Sequence, residues 1–195
     1  MTTRPERQVF ITGFGGQGIV MAGDILGKAA TLYDRRHATM MQTYGPEARG
    51  GSCSSQVIIS DREILFPSIG EPEVLICMSQ EGYTKNVKNL RRGGTLVRDT
   101  DLVKSRKAAG LTTYNVPATR FAEELGNAMM ANIVMLGFLA AVENVVSAGA
   151  LREAVADSVP PATKESNLKA FDRGLEYGEA ILKGRAKQGR AGETA

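Results

Sequence analysis

Apolar and polar positions along this chain fall into blocks of two different periods. Val9-Phe10-Ile11 is a short apolar run followed by glycines, and an apolar pattern of helical spacing begins at Ile19. Short runs beside turn signals read as strands, and a 3.6-residue period reads as a helix. The predicted order is strand 8–11, helix 19–33, strand 38–44, strand 54–60, strand 63–66, strand 74–78 and helix 80–90. Strands 95–97 and 112–116 follow, then helix 118–146 with an interruption near Gly126-Asn127, then helix 165–182 after Pro160-Pro161. Asp61-Arg62, between two of these strands, predicts a tight β-hairpin. Residues 74–78 are continuously apolar, as in a buried parallel strand. Residues 129–142 are apolar nearly all round, so that helix is buried in this domain or against a partner. Strands alternating with helices predict a single α/β domain with a doubly wound, mostly parallel sheet and a β-hairpin. Its expected extent is 8–183, with a loose N-terminus at 1–7 and a flexible tail at 184–195.

The turn between the first strand and the first helix carries Gly13-Phe14-Gly15-Gly16-Gln17-Gly18. Gly13, Gly15 and Gly18 have the G-x-G-x-x-G spacing in the strand–turn–helix context that gives it meaning, which makes the sheet Rossmann-like. Bare backbone there lets a ligand approach, and unpaired N–H groups at a helix start favour anions. A nicotinamide cofactor would also need an acid about 20 residues on, at the tip of the second strand. Asp34 has the spacing but precedes that strand, whose tip is Thr43-Tyr44-Gly45-Pro46. An independent dinucleotide-binding oxidoreductase is therefore an alternative that lacks its ribose contact. A tight turn without a ligand is the plainer reading, and it explains one or two of these glycines more easily than four.

A second glycine-rich loop, Tyr44-Gly45-Pro46-Glu47-Ala48-Arg49-Gly50-Gly51-Ser52, follows the second strand. Loops at the carboxyl ends of adjacent strands lie side by side, so the two clusters are expected to meet. Gly-Gly-Gln-Gly-Ile together with Tyr-Gly-Pro-Glu-Ala-Arg-Gly-Gly resembles the gamma subunit of 2-oxoacid:ferredoxin oxidoreductases. The resemblance extends through residues 52–60, 117–137 and 167–174. It implies a complex that oxidises a 2-oxoacid to acyl-CoA and passes electrons to ferredoxin or another acceptor. It further implies a thiamine-binding beta subunit, an alpha subunit and a ferredoxin-like delta subunit, with thiamine diphosphate and Mg, 4Fe–4S clusters and CoA in the complex. The candidate cofactor-binding residues here are Gly13, Gly15, Gly16, Gln17, Gly18, Tyr44, Glu47, Arg49, Gly50 and Gly51. The first loop would offer backbone N–H groups, Arg49 charge, and Tyr44 and Glu47 a fixed loop. A purely architectural subunit, whose glycine loops only meet a neighbour, fits the same residues.

Composition narrows the chemistry. The 195 residues suit one domain, and a net charge of +3 gives no basic nucleic-acid footprint. No membrane span or leader pattern is evident, and two lone cysteines give no disulfide framework, which fits a cytoplasmic setting. Cluster ligation needs closely placed thiolates, which Cys53 and Cys77 do not supply. The Gly-Asp-Gly segment that thiamine-diphosphate enzymes use for Mg is also missing. The chain alone is therefore expected to hold no cofactor, no metal and no catalytic residue. His37 reads as part of a basic turn with Arg35 and Arg36, Cys53 as a small buried residue beside the second loop, and Cys77 as core. Asp99 and Asp101 imitate a metal pair but sit where a strand turns. Met129, Met130 and Met135 read as core or interface filler. Glu47 and Arg49 are either a ligand-facing pair or an internal ion pair. Gln17 either donates to a phosphate or carbonyl, or ties the two loops together.

Overall fold

Why the chain builds these elements is clearest at β4 (Val74–Cys77), where four apolar residues in a row are all buried. Such a strand needs cover on both faces, and it has it. A computed structural model describes residues 6–45, 51–67, 70–105 and 110–192, with side chains through residue 185. The sheet also contains β1 (Arg7–Phe14), β2 (His37–Tyr44), β3 (Ser52–Ser60), β5 (Thr95–Asp99) and β6 (Thr112–Val116). The strand order is β2-β3-β1-β4-β5-β6. β1, β4, β5 and β6 run parallel, while β3 is antiparallel to both β1 and β2.

The helices are α1 (Ile19–Lys28, continued by a π-helical turn Ala29–Tyr33), α2 (Gln80–Asn86), α3 (Ala118–Glu124), α4 (Ala131–Val142), α5 (Ala148–Ser158) and α6 (Lys164–Gly192). On one face Val9, Ile11, Val57 and Ile76 pack under α1, α4 and α6 through Ile25, Leu26, Phe138 and Phe171. On the other, Leu75, Cys77 and Leu96 meet Leu90 and Val103 in a smaller cluster beside α2. α4 is apolar all round because the chain's own elements surround it, and residues 131–139 are all buried. It therefore calls for no partner to cover it. Gly137 and Gly174 let α4 and α6 touch backbone to backbone, since a Cβ at either would lie 2.0 Å from a carbonyl oxygen, that of Phe171 or of Val134. At the β6 edge, Arg185 on α6 donates to the Thr113 carbonyl at 3.1 Å, and its guanidinium lies 4.1 Å above the Tyr114 ring.

The structure corrects the expected hairpin. Residues 63–66 form no strand, and the antiparallel partners are β2 and β3, joined through the second glycine loop. Asp61-Arg62 lacks the glycine or asparagine that a two-residue hairpin turn favours, and β3 already has a strand on each side. Asp61 instead accepts from the buried Arg36 at 2.7 Å. The helix expected at 118–146 is broken as foreseen, where Asn127 caps a 3-10 turn by accepting from the Met129 N–H at 3.0 Å. It also ends earlier than expected. α5 is a separate helix capped by Ser147, whose Oγ accepts from the Ala150 N–H at 3.1 Å. The backbone of α6 is helical to Gly192, beyond residue 183.

Candidate functional site

The first glycine loop begins where β1 runs out at Phe14. The Gly15 N–H donates to the Gly51 carbonyl at 2.9 Å, which joins the first loop to the end of the second. The two clusters meet, although their strands are not neighbours. β3 lies between β1 and β2, and its first residue, Ser52, pairs with Phe14. Gly16 is exposed, has φ +95°, and has open space where a Cβ would stand. Gly18 (φ +70°) starts α1, and a Cβ there would strike Asn132 Nδ2 at 2.3 Å. Gly13 is buried within β1, and a Cβ there would meet Gln17 Oε1 at 2.4 Å and Ile19 Cδ1 at 2.6 Å. Gly13 and Gly18 are thus needed for fit inside the chain, whereas Gly16 faces outward.

Gln17 is engaged at both ends of its side chain. Its Oε1 accepts from the Phe14 N–H at 2.6 Å, and its Nε2 donates to the Met78 carbonyl at 2.9 Å, just past β4. Tyr44 closes β2, 62% exposed, and pairs with Cys53 across the hairpin. Glu47, Arg49 and Gly50 lie outside the described residues.

A groove of about 490 Å³ opens on the sheet face that α2 covers only in part. Its floor includes Phe10, Thr12, Ser54 and Gln56, and Tyr44, Gly45 and Ser52 stand at the glycine-loop end. Its wall is one stripe of α2 and the turn after it: Gly82, Lys85, Asn86 and Asn89. The spacing of i, i+3, i+4 and i+7 marks one helix face. That polar stripe was the signal by which the wall residues, which the sequence reading missed, could have been found. Asn132 was missed as well, and a lone polar residue inside an apolar helix was its clue.

Among the described residues the groove presents hydroxyls and amides with one cation, Lys85, which pairs with Glu81. Cys53 also lines it, and burial pushes its thiol pKa up, so it is protonated at neutral pH. Burial raises the Cys77 thiol further. Asp99 is fully buried, accepting from the Asp101 N–H at 2.9 Å, the Thr119 N–H at 2.9 Å and the Thr119 hydroxyl at 2.7 Å. Asp101 pairs with Arg120 at 2.7 Å. The pair that imitates a metal site is thus a turn and a helix cap. Asp34, the one acid spaced for a ribose, sits at the far end of the sheet. There it accepts from the Ser147 N–H and hydroxyl, each at 2.7 Å, at the start of α5. With β3 beside β1 and running against it, no second-strand tip lies next to the first loop, and the dinucleotide alternative loses its geometry. Among the described residues no group of three His, Cys, Asp or Glu is placed to hold a metal. No helix among them is long and apolar enough to cross a membrane.

Fold and site together define a small α/β domain that offers bare backbone and a polar groove. The chain belongs to the pyruvate ferredoxin/flavodoxin oxidoreductase family, which matches residues 8–177. It is 46% identical over 179 residues to 2-oxoglutarate synthase subunit KorC of Methanocaldococcus jannaschii, covering 90% of this chain and 96% of that one. It is 32% identical to ketoisovalerate oxidoreductase subunit VorA of Methanothermobacter marburgensis, covering 92% of this chain and 38% of the longer relative. The crystal structure of a keto/oxoacid ferredoxin oxidoreductase gamma subunit from Geobacter sulfurreducens superposes with a TM-score of 0.80 at 38% identity. That match covers 89% of this chain and 99% of the other.

Proposed function

We propose that this chain is the gamma-type subunit of a thiamine-diphosphate-dependent 2-oxoacid oxidoreductase and that its two glycine loops form part of the wall of the CoA or thiamine pocket. The observation that carries this reading is the Gly15–Gly51 hydrogen bond, which ties the first loop to the end of the second, with Gly16 bare beside it. Bare backbone with a charged neighbour suits a phosphate-bearing ligand. Arg49 supplies the charge, and Tyr44 and Glu47 shape the second loop. When bound in the complex, thiamine diphosphate would supply an electron sink for decarboxylation, the clusters one-electron transfer, and CoA the acyl acceptor. Two buried thiols do not suit a cluster and the sequence has no Gly-Asp-Gly segment, which favours partner subunits as the holders of the clusters and of thiamine diphosphate with its Mg, with ferredoxin or a similar acceptor taking the electrons. Exposed Phe14, Tyr44 and Met129 around the loops favour this edge as the one that meets a partner. The higher identity to the 2-oxoglutarate synthase subunit favours 2-oxoglutarate as the acid. The setting is the cytoplasm.

The test is Arg49→Ala in the intact purified complex. A charged contact to phosphate is worth roughly 1–3 kcal/mol, so the KM for CoA should rise about tenfold or more. Decarboxylation of the 2-oxoacid, which precedes acyl transfer, should change much less. Unchanged CoA kinetics would remove Arg49 from the site and favour a purely architectural role. The wild-type complex should also turn over 2-oxoglutarate faster than pyruvate, and the isolated chain should reduce no viologen dye with either.

A further inference from the structure

The first glycine loop carries two glycines with positive φ, one exposed Gly between them and the strand, and no side chain of its own that reaches the core except Gln17. Glycine gives such a loop its shape at no steric cost, but glycine is also the residue that loses most freedom on being ordered. Something must hold the loop before a ligand arrives, or each binding event has to order it. Two side-chain amides are placed to do this. Gln17 bridges the loop to the end of β4, with 2.6 Å to the Phe14 N–H and 2.9 Å to the Met78 carbonyl. Asn132, only 3% exposed on α4, donates to the Gly18 carbonyl at 3.1 Å, while its Oδ1 accepts from the Ile133 N–H at 2.9 Å. One amide grips the loop on the strand side of Gly16 and the other on the helix side. An amide whose donor and acceptor are both engaged within the chain is poorly placed to bind a ligand and well placed to hold a shape.

We propose that Gln17 and Asn132 are positioning residues that pre-set the first glycine loop for CoA, with Gln17 acting through the loop backbone and not by touching the ligand. This rests on the reading of the loop as part of the CoA pocket wall. Its first consequence is on binding. A loop released from either clamp must be ordered by the ligand, which weakens binding and leaves the filled site as it was.

The intact complex provides the test, by hydrogen exchange of the 13–23 segment with and without CoA, and by KM and kcat with a viologen dye. Gln17→Glu keeps the acceptor for the Phe14 N–H and turns the donor toward Met78 into a second acceptor. It should speed exchange of the loop in the absence of CoA and raise the KM for CoA about five- to tenfold, the effect of roughly one hydrogen bond, with kcat at saturating CoA retained. Gln17→Met, which lacks the donor and keeps only a weak thioether acceptor, should show a larger change in the same direction. Asn132→Asp should do likewise from the helix side, and if that variant does not assemble, the two Gln17 variants decide. If CoA protects the loop of the wild-type complex and the Gln17 variants keep wild-type exchange and KM, the positioning role is wrong. It is equally wrong if they lower thermal stability with no change in KM, or lower kcat with KM unchanged. If CoA gives the wild-type loop no protection at all, the pocket-wall reading fails first, and the inference falls with it.

Discussion

Glycine is concentrated in two regions of this molecule for opposite reasons. In the α4–α6 seam the missing side chains of Gly137 and Gly174 are replaced by the partner helix, whose carbonyl oxygens stand 2.0 Å from where a Cβ would be. In the first loop Gly16 has nothing within 4 Å of that position. The seam is filled from within and needs no other molecule. Around Gly16 the loop is empty from within, so what selects glycine at that position is the positive φ, together with whatever approaches from outside. Glycine content alone does not distinguish a packing surface from a binding surface, but the neighbours of the absent Cβ do.

Substitutions separate the two regions most sharply at the seam. Gly174→Val would drive a branched side chain into the Val134 carbonyl, a backbone atom that cannot swing aside. We expect it to cost about 3 kcal/mol or more, enough to unfold a marginal domain, read as loss of soluble protein or a large fall in denaturation midpoint. If Gly174→Val folds with nearly wild-type stability, the helices have room that the structure does not show. Gly16→Ala should be milder in the chain alone, about 1–2 kcal/mol for placing a side chain at positive φ. Gly16→Asn should cost less than Gly16→Ala, because Asn tolerates that region better. Any further loss for these variants in the assembled complex measures what the partner or ligand brings to Gly16. Equal losses in chain and complex would mean that nothing approaches it.

The smallest effect concerns the cysteines that flank the comparison. Cys53 lies beside the loops at 5% exposure, and Cys77 is fully buried in β4. A disulfide reagent at pH 8 should modify Cys53 slowly and Cys77 only after unfolding. Rapid labelling of Cys53 would show that the loops open. Burial raises both thiol pKa values, so the unfolded chain loses these protons first. Stability should therefore fall as pH rises past about 8.5 and be unaffected by these groups below it.

The parts of the fold written in local pattern were legible. The strand–turn–helix at Gly13–Gly18, the buried run in β4 and the break near Asn127 all follow from residues close in sequence. Pairing between distant strands was not. The order β2-β3-β1 depends on which edges are free, and alternation within 54–60 and 63–66 carries no information about that. α5 was missed because its apolar positions, Leu151, Ala154 and Val155, form a modest stripe next to the dominant apolar block of α4. At the site, the meeting of the two loops was foreseen from the wrong neighbour relation. It holds because β3 starts where the second loop ends, and so delivers Gly51 to the tip of β1. The groove wall on α2 was overlooked because polar residues at helical spacing usually mean a solvated face.

The central place of β1 carries a consequence for how the chain folds as it is made. Val9 pairs with Val57 on one side and with Val74 on the other. Of the six strands β1 is made before the others, so it has no partner among them until β3 has been synthesised, and its second edge stays open until β4 follows. The β2–β3 ribbon, closed by a short connection, can form before that at low entropic cost. β1 must then dock between that ribbon and β4, and such non-local pairing slows folding. Until it docks, Val9 and Ile11 face water in an unpaired strand, the state in which this chain is most open to aggregation.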